Sequence, residues 1–162
     1  MNATFEPSLQ PFLKLAQAHA HETHPATLYR ALDTVLADTI GHTLFTILRY
    51  DDTTNESARI YSNMPAAYPT STSKPLSGGD WVETVLTRGE AFIGKTPDDL
   101  RAVFADHELI FSLGIGSIMN VPVMLHGRCR GIVNLSHDAG HYGDADIPPA
   151  RILAGLLSPV FG

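Results

Sequence analysis

Residues Ser117 to His137 read Ser-Ile-Met-Asn-Val-Pro-Val-Met-Leu-His-Gly-Arg-Cys-Arg-Gly-Ile-Val-Asn-Leu-Ser-His. Two apolar runs, rich in β-branched residues, flank the short connection His126-Gly127-Arg128, and a glycine in such a connection predicts a β-hairpin. Each run holds one amide in otherwise apolar surroundings, Asn120 in the first and Asn134 in the second. An amide buried in a strand costs free energy unless it is hydrogen-bonded. Two of them in one hairpin predict a polar spot on an apolar sheet, as in a small-molecule pocket. The alternative is that both amides are spent on neighbouring main chain.

Working outward, Leu9, Phe12, Leu13, Ala16 and Ala20 recur at helical spacing and predict an amphipathic helix over 8–20. Pro25 suits the first turn of a second helix with the stripe Leu28, Tyr29, Leu32, Val35, Leu36 and Ile40, stopped at Gly41. Strands are expected over Thr43–Tyr50 and Ser57–Asn63, joined by the polar turn Asp51–Asn55. The passage Met64–Gly79 carries Pro65, Pro69 and Pro75 and reads as a long loop; Tyr61, Tyr68 and Trp81 in and beside it predict an ordered cover. A short helix follows over Asp80–Arg88, then a brief strand over Ala91–Gly94. Pro97–Ser112 is helical in composition, with Leu100, Val103, Phe104 and Leu109 turned inward. The last helix starts near Asp144–Pro149 and carries Ile152, Leu153, Leu156, Leu157 and Val160. Strands in hairpins with helices grouped around them give an α+β fold on an antiparallel sheet. The 162 residues suit one domain, divided into an N-terminal helix and connection over 1–24 and the main unit over 25–162.

The totals exclude several classes. A net charge of −6 without a Lys/Arg cluster argues against a nucleic-acid surface. Cys129 is the single cysteine, so no intramolecular disulfide can form. The N-terminus has no basic region followed by an apolar run, and no stretch approaches the roughly 20 apolar residues that span a bilayer. The expected location is the cytoplasm, with no membrane partner. No Gly-rich phosphate loop is present.

From Ile118 to Ser136, and again over His141-Tyr142-Gly-Asp144-Ala-Asp146, the chain resembles the GAF domain family. The likeness covers about Thr27 to Phe161. It rests on an apolar strand with a proline, a short turn, a Gly-apolar-apolar-Asn-Leu strand, and an aromatic and acidic helix start. The resemblance implies a GAF/PAS-like central antiparallel sheet of five to six strands with helices on both faces. One face would pack on the first two helices and the last. The other would hold a ligand under the segment from about Met64 to Ser117. It also implies a homodimer through terminal helices, a common two-fold arrangement.

The function expected is a binding module that senses or sequesters a small organic molecule in a mostly apolar pocket, with no cofactor. The candidate ligand-binding residues are Tyr61, Asn63, Trp81, Phe104, Ser112, Ser117, Asn120 and Asn134, with Arg59 and Lys74 able to meet an anionic group. A small enzyme is the alternative, with Asp106, His107 and Ser117 as its first candidates; neighbours on a helix point about 100° apart, so no dyad is implied by adjacency. A protein-interaction module is a third possibility. Free methionine-R-sulfoxide reductases, a GAF-like branch, rely on cysteines in the region corresponding to about Gly94–Gly116, where this chain has none. Cys129 instead lies beside Arg128 and Arg130, whose charges favour a lowered thiol pKa. The cyclic-nucleotide signature Asn-Lys-Phe-Asp-Glu is absent. His19, His21, His24, His137 and His141 lack metal-site spacing and read as surface histidines.

Overall fold

A computed structural model describes residues 8–21, 23–71, 73–76 and 78–162. The first seven residues, and with them the start of the segment read as 1–24, lie outside the described residues. Helices α1 (Gln10–His21) and α2 (Pro25–Thr39) come first. His24 caps α2 by accepting the Ala26 N–H on Nδ1 at 3.2 Å, and Pro25 occupies the first turn, where no intrahelical N–H is needed. Strands β1 (Leu44–Asp51) and β2 (Glu56–Ser62) form the first hairpin. Then follow β3 (Ser73–Pro75), α3 (Asp80–Val82) running into a π-turn over Glu83–Thr87, β4 (Phe92–Gly94), α4 (Pro97–Val103) and α5 (His107–Ser112). Strands β5 (Ser117–Leu125) and β6 (Arg128–His137) are the expected hairpin, and α6 (Ile147–Gly155) closes the chain between two 3₁₀ turns.

The six strands form one sheet in the order β3-β2-β1-β6-β5-β4, with every neighbouring pair antiparallel. His126 and Gly127 both have positive φ, 50° and 75°, as the tight turn of a two-residue hairpin demands. The α+β fold expected from the hairpin pattern is therefore present.

Two details differ from the sequence reading. The proline-rich passage donates β3 to the sheet edge. The helical composition over 97–112 breaks at Phe104, which is extended, so α5 restarts in a new phase. Leu109 consequently faces solvent, and Ile110 takes the buried position.

Alternation along the strands sorts their side chains. Met119, Val121 and Val123 of β5 and Val133 and Leu135 of β6 are fully buried against Leu15 of α1, Leu32 and Leu36 of α2, and Leu153 of α6. On the other face two smaller clusters form. One surrounds Leu100, Ile110 and Ile118, the other Val85, Leu86, Cys129 and Ile132. Between them the sheet is left open.

Candidate functional site

The opening is a cavity of about 590 Å³. Its floor is Leu44, Thr46 and Leu48 of β1, Ile118 and Asn120 of β5, and Asn134 and Ser136 of β6. Trp81, Phe104 and Tyr68 contribute aromatic walls, and Lys74, Arg59, Asp80 and Asp106 contribute charge. That volume and the mixture of apolar wall with a few polar groups fit a small organic ligand.

Register explains the floor. Asn120 stands opposite Asn134, and Asn134 opposite Thr46, so three polar side chains line up across β5, β6 and β1. Trp81 Nε1 donates to Asn120 Oδ1 at 2.9 Å, Asn120 Nδ2 to Asn134 Oδ1 at 2.6 Å, and Asn134 Nδ2 to Thr46 Oγ1 at 3.1 Å. Of the two readings the sequence left open, these bonds run side chain to side chain, along the cavity floor.

A second polar group lies elsewhere on the lining. The Tyr68 hydroxyl donates to Asp106 Oδ2 at 2.9 Å, and the Arg59 guanidinium lies 5.0 Å from the Tyr68 ring centre while donating to the Pro69 carbonyl. Burial pulls Arg59 below its ordinary pKa, opposed by Tyr68 and Asp106. Burial first, and the Asp106 carboxylate second, push the Tyr68 phenol up, so it stays a donor.

Of the eight ligand-binding candidates, Trp81, Phe104, Asn120 and Asn134 line the cavity. The other four lie outside its lining. Tyr61 packs on the helix side against Tyr29 and Phe45 and donates to Asp33. Its placement follows from a bulge. Ile47 pairs with Tyr61 but Leu48 pairs with Arg59, so β2 carries one extra residue, and the alternation from Arg59 to Tyr61 is inverted. Asn63 is exposed and spends its amide on the Phe45 N–H and the Thr43 carbonyl. Ser112 is exposed and donates to the Leu109 carbonyl at 2.6 Å. Ser117 is fully buried, and its hydroxyl has no hydrogen-bond partner among the described residues; it shares the strand parity of Met119 and Val121.

The three catalytic candidates are not brought together. Asp106 lines the cavity bonded to Tyr68, the His107 ring nitrogen meets the Phe104 carbonyl, and Ser117 is on the opposite side of the sheet. Sequence reasoning missed Thr46 and Ser136, and named Tyr68 only as part of the cover. Both missed residues were open to it: Ser136 is two residues from Asn134 on the same strand, and Thr46 interrupts the apolar run Leu44–Ile47.

Cys129 corrects an expectation. Arg128 and Arg130 turn to Asp52, at 3.3 and 3.2 Å, leaving the thiol buried. Burial, with a smaller push from Asp52, raises its pKa to about 11. His137 and His141 stack face to face, their ring centres 3.7 Å apart, and His141 Nε2 meets the Ile40 carbonyl. Among the described residues no group of three or more His, Cys, Asp or Glu could hold a metal ion. Among them, too, no helix is long and apolar enough to cross a membrane.

The GAF domain family model matches residues 21–161. The chain belongs to the GAF domain family. A GAF domain from an Acinetobacter phosphoenolpyruvate-protein phosphotransferase superposes with a TM-score of 0.72 at 18% identity, over 94% of this chain and 91% of that one. The free methionine-R-sulfoxide reductase of Neisseria meningitidis, solved with its substrate, superposes with 0.67 at 22% identity, over 97% and 93%. The chromophore-binding domain of a Stigmatella aurantiaca bacteriophytochrome gives 0.65 at 14% identity, over 94% of this GAF domain and 60% of that chain. These likenesses carry the fold. A search of curated proteins finds no match.

Proposed function

We propose that this GAF domain is a binding module that senses or sequesters a small organic molecule in the cavity over β1, β5 and β6. The observation carrying the proposal is the polar line from Trp81 to Thr46 on the floor of an otherwise largely apolar space. A stability-only core favours apolar filling, because buried polar groups need every partner satisfied. Here the polar groups border open volume, where a ligand can complete them.

The test is to identify small molecules released from denatured protein by mass spectrometry and to follow thermal shifts with a metabolite panel. A ligand binding only the folded state stabilises it by about 2.7 kcal/mol at a hundredfold excess over its dissociation constant. A reproducible co-purified molecule or a clear stabiliser is the expected result. No ligand and no shift across a broad panel would overturn it. Consumption of the stabiliser on incubation would move the site to the enzymatic alternative, for which Asp106, His107 and Ser117 supply no assembled set.

The proposal includes pairing with a second copy through the terminal helices. Leu9 and Leu13 are 74% and 48% exposed at the start of the chain's first helical segment, and Ile152 on α6 is 57% exposed. Sedimentation of a Leu13→Lys, Ile152→Lys variant tests this: the wild type should sediment as a dimer and the variant as a monomer. The proposed setting is the cytoplasm, where an unpaired thiol such as Cys129 stays reduced.

A further inference from the structure

The line of hydrogen bonds on the cavity floor has a direction, and Trp81 sets it. An indole N–H can only donate. Asn120 therefore turns its carbonyl oxygen to Trp81, 2.9 Å away, and its amide nitrogen to Asn134. Asn134 must answer with its own oxygen, which points its nitrogen at Thr46 Oγ1. Thr46 accepts, and keeps its hydroxyl hydrogen. Among the described residues the line leaves three hydrogens wholly unbonded, one N–H on each asparagine and the O–H of Thr46, whereas each of its oxygens already accepts one bond and keeps a single spare lone pair. Ser136 adds another hydroxyl to the lining, two residues beyond Asn134 on β6. Both carbonyl oxygens already hold a donor. The asymmetry matters once a ligand displaces water, because an orphaned donor is tolerated less well than a carbonyl with one lone pair unused.

We propose that the cavity selects a compact apolar molecule whose head group is an oxygen acceptor without a donor of its own: a carbonyl, ester or carboxylate seated on Thr46, Asn134 and Ser136. Its apolar body lies against Trp81, Phe104 and Leu48. An amine head finds spare lone pairs only on the Ser136 hydroxyl and on oxygens that already accept a bond, and it leaves the asparagine N–H groups and the Thr46 O–H unmet. The charged lining carries both signs, Arg59 and Lys74 against Asp80 and Asp106, and Asp106 already accepts from the Tyr68 hydroxyl, so the choice of head group falls to the floor. The inference rests on the binding reading above and narrows it to a chemical class.

The test uses four probes with one body: cyclohexanecarboxylate, methyl cyclohexanecarboxylate, cyclohexylmethylamine and methylcyclohexane. Trp81 is the only tryptophan in the chain, so its fluorescence reports binding at the site itself. Titrations are paired with ligand-observed NMR. Both acceptor probes should bind at least about fivefold tighter than the amine and the hydrocarbon, the worth of roughly one hydrogen bond. A preference for the carboxylate over its ester assigns a further role to the cations on the lining; equal binding assigns the selectivity to the neutral floor. Thr46→Val and Ser136→Ala should each reduce the acceptor preference, and the double variant should reduce it further. Unchanged unfolding curves exclude misfolding as the cause. Binding without head-group preference, or tighter binding of the amine, overturns the acceptor class alone. Failure of every probe to bind overturns the acceptor class, and the binding reading falls with it only if the broad metabolite panel also gives no ligand and no shift.

Discussion

The two faces of the sheet are built from the same strands and obey different rules. On β5 the residues Met119, Val121 and Val123 face the helices, and each is fully buried in one continuous apolar cluster. Their alternating neighbours Ile118 and Asn120 face the cavity, where the apolar contacts divide into two clusters with polar groups between. The helix face is closed by packing, so its free energy depends on every methyl group. The cavity face is left unfilled, so its side chains are free to answer to a ligand. Stability and binding are separated by one residue of strand parity.

The largest effect expected from this contrast is a pair of truncations. Leu135→Ala on the helix face should destabilise the domain by about 2–5 kcal/mol, since the rigid core collapses only partly around the lost atoms. Leu48→Ala lines space that is already open, and should cost less than about 2 kcal/mol. Urea unfolding of the two variants measures the difference. Equal losses would break the contrast between the faces.

A smaller effect belongs to Gly131. A methyl group there would meet the Phe161 ring at 2.5 Å and the Leu48 carbonyl oxygen at 2.9 Å. Gly131→Ala should cost about 1–3 kcal/mol, the usual penalty of overpacking. Adding Phe161→Ala removes the ring clash but not the one with backbone. Partial rescue in the double variant is the expected outcome, and full rescue would show that β6 can shift away from β1.

The same contrast marks how far the sequence could be read. Helices, hairpins and the antiparallel sheet follow from local periodicity and turn residues, and Asn120 and Asn134 were visible because amides stand out in apolar strands. Tyr61 was not placed correctly by alternation, because the bulge opposite Leu48 leaves no mark in composition. Ser117 stood among the candidates at the entry to the hairpin, yet its odd spacing from Asn120 puts it on the other face. Tyr68, Arg59 and Asp106 meet only through a turn-rich passage and a helix break. No periodic signal joins residues 59, 68 and 106.

On the cavity face, removing one link of the polar line tests whether it serves binding more than folding. Asn134→Leu should cost about 1 kcal/mol in the absence of ligand, because water in the open cavity can take over the bonds left by Asn120 and Thr46. It should remove the preference for acceptor ligands. A loss as large as that of Leu135→Ala would place the line among the structural elements of the core instead.

The smallest effect expected is a pH dependence at the far end of β6. Burial, the stacked His141 ring and, more weakly, His42 hold His137 below the ordinary histidine range, against the opposing pull of Asp138. A base with a lowered folded-state pKa binds its proton more readily when unfolded. Stability is therefore fully present above the unfolded value of about 6.5, and declines as pH falls through it towards the folded value. His137→Gln, which cannot titrate, should flatten this part of the profile. The check is melting temperature measured from about pH 5 to 7.5. A wild-type profile that rises on acidification would mean that Asp138 outweighs the stacked ring, and that the His137–His141 pair stabilises the charged form.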